Sequence, residues 1–153
     1  MVQIDEAQIG RRKYNRGRWT PETWVLGMID EDENIRVMIC ERRDMGTLEP
    51  PIIDHVAPGS RIHTDGWPAY RDLDCLSYYH RVVNHKKEFV AADGSHTQKI
   101  ERVWRDMRHQ KFSAGGIRRH DIAEHLIEYM WRRECLKKNW DPFARLVTML
   151  KIE

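Results

Sequence analysis

Residues 24–66 read "WVLGMIDEDENIRVMICERRDMGTLEPPIIDHVAPGSRIHTDG", and the spacing of their apolar positions changes twice along the stretch. Trp24–Ile29 and Ile35–Cys40 are apolar or β-branched runs. The polar residues Asp30, Glu31, Asp32, Glu33 and Asn34 between them suit a hairpin loop, so the two runs are expected to pair as antiparallel strands. From Thr47 to Val56 the apolar residues Leu48, Ile52, Ile53 and Val56 fall at helical spacing, and Pro50 and Pro51 are read as part of a first turn, which tolerates a missing N–H. Pro58 and Gly59 stop that helix, Arg61–Thr64 returns to a strand, and Asp65 with Gly66 breaks it. Strand, strand, helix and strand in one stretch predict an α/β domain built on a mixed sheet.

Toward the N-terminus, Val2–Ile4 is a short β-prone stretch ending at Asp5 and Glu6, which makes three consecutive antiparallel strands. Arg11, Arg12, Lys13, Arg16 and Arg18 follow, five cations within eight residues, and form a basic arm. Toward the C-terminus, Trp67–Leu73 is expected to be a short helix and His80–Asn84 a brief strand, with His85–Gly94 a polar loop. Ser95 and Gln98 have capping-box spacing, and Ile100, Val103, Trp104 and Met107 recur as i, i+3, i+4, i+7, the mark of an amphipathic helix. The order is then βββαβαβα. Gly115 and Gly116 interrupt the helix; a longer one opens at Asp121 and Glu124, burying Ile122, Leu126, Tyr129 and Met130, and a last short one follows Asp141 and Pro142. One domain over residues 1–153 is expected, with a core of about 1–112 and C-terminal helices over 113–153.

The 153 residues are 41% hydrophobic and 33% charged with mean hydropathy −0.73, a balance that excludes an integral membrane protein and argues against disorder. Met1–Lys13 has no apolar h-region, so a secretory signal is excluded and the protein is expected to be intracellular. Cys40, Cys75 and Cys135 are an odd, scattered set and are read as buried reduced thiols. The eight histidines do not make a zinc site: His80 with His85 runs from strand to loop, and His120 with His125 is out of phase for one helical face. Net charge is only +2, yet 18 of the 26 basic residues are Arg, the side chain suited to bidentate phosphate and carboxylate pairing.

Three carboxylates sit at expected element ends: Asp5 at the end of the first strand, Asp65 at the end of the fourth, and Glu101 in the first turns of the amphipathic helix. Strand ends of a mixed sheet can converge on one cleft, and oxygen ligands without His or Cys suit hard cations such as Mg²⁺ or Mn²⁺. Two such ions roughly 4 Å apart can activate a water or a 3′-hydroxyl at a phosphodiester. Read from spacing alone, a turn-forming Asp and a solvated Glu stand beside the metal-site reading, and both remain open.

Asp5, then 59 residues, Asp65, then 35 residues and Glu101, on this element order, resembles the RNase H-like catalytic core of DDE transposases and retroviral integrases. The segments "QIDEAQIGRRKYNRGR", "HVAPGSRIHTDGWPAY", "HRVVNHKKEFV" and "GSHTQKIERVWRDMR" look more closely like the Merlin family of eukaryotic DNA transposons and its bacterial insertion-sequence relatives. The likeness runs from Val2 to about Arg133, and "TDGWPAY" and "VNHKKEFV…HTQKIERVW" are its most specific blocks. It implies a mixed five-stranded sheet and the DDE reaction: metal-dependent hydrolysis at a transposon end to free a 3′-hydroxyl, then attack of that hydroxyl on target DNA. It also implies that Asp5, Asp65 and Glu101 are catalytic and hold two Mg²⁺ or Mn²⁺ ions. The partners implied are the transposon terminal repeats and target DNA, with a homodimer or larger assembly on DNA. Ala7 stands where many lineages have Thr or Ser. Such enzymes generally carry an upstream DNA-binding region, whereas Met1 stands four residues before Asp5, so a trimmed catalytic domain or a lost end-recognition module is expected.

Beside such a core the basic residues Arg11, Arg12, Lys13, Arg16 and Arg18 are read as phosphate contacts rather than as a solvated face. Tyr14 and Trp19 could stack on an unpaired base or pack against the sheet. Lys86 and Lys87 could bind phosphate or be solvated, and Arg105, four residues after Glu101, could contact DNA or pair with Glu101. His96 could approach the cleft or neighbour the helix cap. Trp67, Trp104 and Trp131 are read as core or helix-packing residues. Two alternatives stay open: a domesticated derivative that binds DNA or protein without cutting, and an RNase H-like structure-selective nuclease. The run "EYMWRR" tilts the expected location toward a nucleus rather than a bacterial cytoplasm.

Overall fold

The computed structural model describes residues 1–9, 23–83, 97–110 and 121–150. Its first strand, β1 (Val2–Ile9), continues through Asp5 and Glu6 instead of ending there. The reason is β2 (Thr23–Asp30), which pairs antiparallel with all of β1 from Val2↔Asp30 to Ile9↔Thr23. That ladder satisfies the backbone at Asp5, so local polarity does not end the strand. β2 turns into β3 (Ile35–Cys40) as the polar loop predicts. The Asp30 carboxylate closes that turn by accepting the Asn34 N–H at 2.8 Å and its Nδ2–H at 2.7 Å.

The next helix, α1 (Met45–His55), starts earlier than its apolar pattern does. Asp44 is the cap: its Oδ1 accepts the Thr47 N–H at 2.9 Å. Pro50 and Pro51 therefore lie in the second turn, where two helical donors are missing, and burial of Leu48 and Ile52 against the sheet holds the helix there. β4 (Arg61–Thr64) appears as expected. The helix expected over Trp67–Leu73 is instead two 3₁₀ turns, Pro68–Tyr70 and Leu73–Leu76, and β5 spans Tyr79–Val82. Pro68 starts the first turn and Ser77, at φ 66°, ends the second, leaving no room for an α-helix. The Ser95 half of the expected capping box lies outside the described residues; the following helix is α2 (Gln98–Gln110). α3 (Ile122–Lys137) and α4 (Pro142–Leu150) complete the described chain, with the Asp141 Oδ1 accepting the Ala144 N–H at 2.6 Å to cap α4.

The five strands form one mixed sheet in the order β3-β2-β1-β4-β5, with β4 parallel to both β1 and β5. Helices flank both faces. Odd-numbered β1 residues share a face with Val25, Ile29, Ile100, Val103, Trp104, Met107, Leu126 and Tyr129, so α2 and α3 belong to one core layer with the sheet. Ile4 and Leu26 point the other way, toward Leu48, Ile52, Tyr70 and Leu73. This is the α/β arrangement that the RNase H-like resemblance implied. Cys40 and Cys135 are buried, but Cys75 is exposed in the second 3₁₀ turn, which corrects the reading of all three as buried. No described helix is long and apolar enough to cross a membrane.

Gln3 ties α2 to the central strand. Its buried amide Oε1 accepts the N–H groups of Lys99 at 2.8 Å and Ile100 at 3.1 Å, two of the donors that a helix N-terminus leaves without partners. Gln3→Met keeps the volume and removes this acceptor. It is expected to destabilise the fold by about 1–3 kcal/mol, read as a lower urea midpoint with unchanged slope. An unchanged midpoint would show that water replaces the cap.

Candidate active site

β1 is where the sheet changes from antiparallel to parallel pairing, and Val2↔Ile62 and Gln3↔His63 are its pairs with β4. Continuing that register past Thr64 sets Asp65 opposite Asp5, at the carboxyl end of β4, the side on which sites of open α/β sheets form. Burial pushes the Asp5 carboxyl up to about 7, the nearby charges of Asp65 and Glu6 add to the rise, and a hydrogen bond from Trp104 opposes it. Asp5 and Asp65 are thus an acidic pair held within electrostatic reach.

Each member has its own support. The Trp104 Nε1–H donates to Asp5 Oδ2 at 2.9 Å. Trp104 reaches that oxygen across Gly27, which is the β2 partner of Asp5; a methyl at Gly27 would overlap the Trp104 ring and come within 2.9 Å of Ile100 Cδ1. Gln3 and Asp5 are two residues apart on β1 and hold Ile100 and Trp104, four apart on α2. Two strand residues and four helix residues both advance roughly 6–7 Å, so helix and strand match in length.

Asp65 accepts the Trp67 N–H on Oδ1 at 2.9 Å, closing a turn over Gly66. The Thr64 hydroxyl donates to the Asp65 carbonyl at 2.7 Å and meets His80 Nε2 at 2.7 Å. With the one hydroxyl proton donated to the carbonyl, the Thr64 oxygen is left to accept from His80 Nε2, and burial lowers the imidazole pKa.

Glu101 is half-buried in the first turn of α2, between the residues that Gln3 and Asp5 anchor, and its Oε1 accepts the Thr97 hydroxyl at 3.1 Å. Among the described residues no three His, Cys, Asp or Glu side chains stand close enough to hold one metal ion together, so Glu101 does not join Asp5 and Asp65 in a shared cluster. The pair itself fits a hard cation: both donors are carboxylate oxygens, and the smaller part of the rise on Asp5, the part that comes from the Asp65 charge, is a repulsion that a cation would relieve.

Behind the pair lies a network that the sequence reading missed. Glu6, next to Asp5 and facing the opposite side of β1, has a buried side chain that receives Arg43 Nη2–H on Oε2 at 2.9 Å and the Tyr70 hydroxyl on Oε1. The Arg43 guanidinium lies 4.4 Å from the Trp24 ring centroid and 4.0 Å from that of Trp67. Trp67 Nε1–H donates to the Arg43 carbonyl at 2.8 Å. Trp67 is 38% exposed, so this ring caps an arginine and is not a core residue as expected; Trp104 is buried as expected.

A groove of about 780 Å³, lined by residues including Asp30, Glu33, His55, Ile127 and Trp131, opens at the other end of the sheet and includes none of the three carboxylates.

The model of the ISXO2-like transposase domain family matches residues 1–133, which takes in all five strands and α1 to α3 apart from the end of α3. The chain belongs to this transposase family. Among curated proteins none matches it.

In this transposase domain Arg105 is exposed on α2 and, among the described residues, makes no ion pair with Glu101. Arg11, Arg12, Lys13, Arg16, Arg18, Lys86 and Lys87 lie outside the described residues, as do Tyr14, Trp19, His85, His96 and His120. His125 lies 3.7 Å from Glu128 on its own helix, a local pair. No sequence pattern announces the Glu6 network, since its members have no common spacing; the nearness of Trp67 and Tyr70 to Asp65 in "TDGWPAY" is the only signal that points to it.

Proposed function

We propose that the protein is the catalytic core of a DDE transposase of Merlin type, hydrolysing phosphodiesters at transposon ends and joining the freed 3′-hydroxyl to target DNA. The observation that carries this reading is the placement of Asp65 opposite the buried Asp5, at the carboxyl end of β4, in a chain whose residues 1–133 match a transposase family. Asp5, Asp65 and Glu101 would hold two Mg²⁺ or Mn²⁺ ions. When bound, such ions supply activation of the attacking oxygen and stabilisation of the leaving one.

The protein's own part is placement. Trp104 fixes the Asp5 oxygen, the turn at Gly66 fixes Asp65, and Gln3 fixes the end of α2 that carries Glu101. Glu101, in the first turn of α2, would be the third carboxylate of the set. The Arg11–Arg18 arm, Lys86, Lys87 and Arg105 are assigned to DNA phosphates, with terminal repeats and target DNA as the partners, a dimer on DNA and a nuclear location.

A second reading, DNA binding without cutting, has one observation in its favour: Glu101 bonds Thr97 and does not cluster with the pair. Incubating supercoiled plasmid and Mn²⁺ with the protein, Glu101→Gln and Asp65→Asn separates the two. Nicking and end joining by the parent protein, with losses of 10²-fold or more in both variants, are expected. Equal inertness of all three while DNA still binds would establish the second reading, and nicking without joining would make the protein a nuclease.

A further inference from the structure

Two carboxylates that repel each other stay close only if the chain segments bearing them are clamped. Asp5 is fixed in the middle of β1, whereas Asp65 lies beyond the end of β4, on a turn followed by a 3₁₀ segment. Strand pairing therefore sets the register of Asp65 but ends before reaching it. What holds that segment is Glu6, the residue after Asp5. Its two carboxylate oxygens are divided between Tyr70, five residues after Asp65, and Arg43, whose guanidinium lies against the Trp67 ring and whose carbonyl takes the Trp67 indole N–H. Trp67 in turn donates its backbone N–H to Asp65.

We propose that Arg43 and Trp67 are positioning residues that, braced on Glu6, hold Asp65 against Asp5 in the geometry a divalent cation requires. This rests on reading Asp5 and Asp65 as the cation-binding pair. The chain's arrangement argues for a dedicated bracket over general packing. Arg43 is spent on a buried carboxylate and two rings, while its Nε is buried with no partner among the described residues, so the guanidinium is not placed to maximise its own hydrogen bonds. A saturated aliphatic residue could fill the space between Trp24 and Trp67, but it could not tie β1 to the turn carrying Asp65.

Arg43→Ala would leave the buried Glu6 charge with the Tyr70 hydroxyl but no cation and could unfold the protein, so the test uses Arg43→Lys, which keeps the charge but not the planar fork, and Trp67→Phe, which keeps the ring but not the indole N–H. Mn²⁺ affinity of each folded variant is measured by electron paramagnetic resonance of free Mn²⁺, beside thermal melts and plasmid nicking. Both variants are expected to bind Mn²⁺ at least 10-fold more weakly than the parent, with nicking recovered as Mn²⁺ is raised. In an Asp65→Asn background neither is expected to weaken Mn²⁺ binding further, because both act through Asp65. Lower melting temperatures with unchanged Mn²⁺ affinity would overturn the bracket and leave the pair standing. A parent protein whose Mn²⁺ binding is absent, or is unaffected by Asp65→Asn, would overturn both.

Discussion

Asp5→Asn is expected to make the protein more stable at pH 8 while removing one carboxylate of the proposed cation site. The Asp5 carboxyl has an ordinary value of 3.8 and is pushed up to about 7 in the fold, mainly by burial and then by the charge of Asp65. Between those two values the folded protein holds a proton that the unfolded chain has released, so stability falls as pH rises through that window and levels off above it. By pH 8 the ionised Asp5 costs on the order of 2–4 kcal/mol. Asn keeps the shape and an oxygen for the Trp104 N–H without the charge. The expected result is a melting temperature roughly 5–10 °C above the parent's at pH 8, a difference that disappears near pH 4. A variant no more stable than its parent at pH 8 would mean that the Asp5 charge is not strained by its surroundings. The physical logic is that of a site kept at the expense of stability.

Gly27→Ala carries the second large effect, in the opposite direction. Its methyl would overlap the Trp104 ring and press on Ile100, both packed in the α2 layer. Either the helix backs off the sheet or the indole leaves Asp5. Overpacking of this kind costs about 1–3 kcal/mol, and losing the Asp5 hydrogen bond in a half-buried setting adds to it, so a loss of about 3 kcal/mol or more is expected in urea unfolding. The double variant Gly27→Ala with Trp104→Phe should be less destabilised than the sum of its parts, since Phe lacks the ring atoms that collide. Strict additivity would place the strain somewhere other than the Gly27–Trp104 contact.

Much of the architecture was legible because elements form by periodicity. The hairpin of β2 and β3, strand β4, and the buried face Ile100, Val103, Trp104 and Met107 of α2 all follow from spacing over a few residues. The errors have two causes, distant partners and a local cap. β1 looked short because Asp5 and Glu6 interrupt its apolar pattern, yet both are accommodated in the sheet by distant partners: Trp104 for Asp5, and Arg43 and Tyr70 for Glu6. α1 started early because a cap, Asp44, outweighs two prolines. α2 is capped by Gln3 from a strand 96 residues away in sequence.

By itself, then, the sequence determined the order of elements, the mixed sheet and the transposase family, all of which depend on local side-chain pattern and on motif blocks that survive as text. Tertiary structure decided what surrounds and holds the candidate carboxylates. The register of β1 on β4 sets Asp65 opposite Asp5, a glycine on the neighbouring strand admits the tryptophan that holds Asp5, and Glu6 braces the turn that carries Asp65. These contacts join residues 37 to 99 positions apart, and a contact at such separation has no periodicity to betray it. It exists only once the sheet has paired and the helices have closed on its two faces.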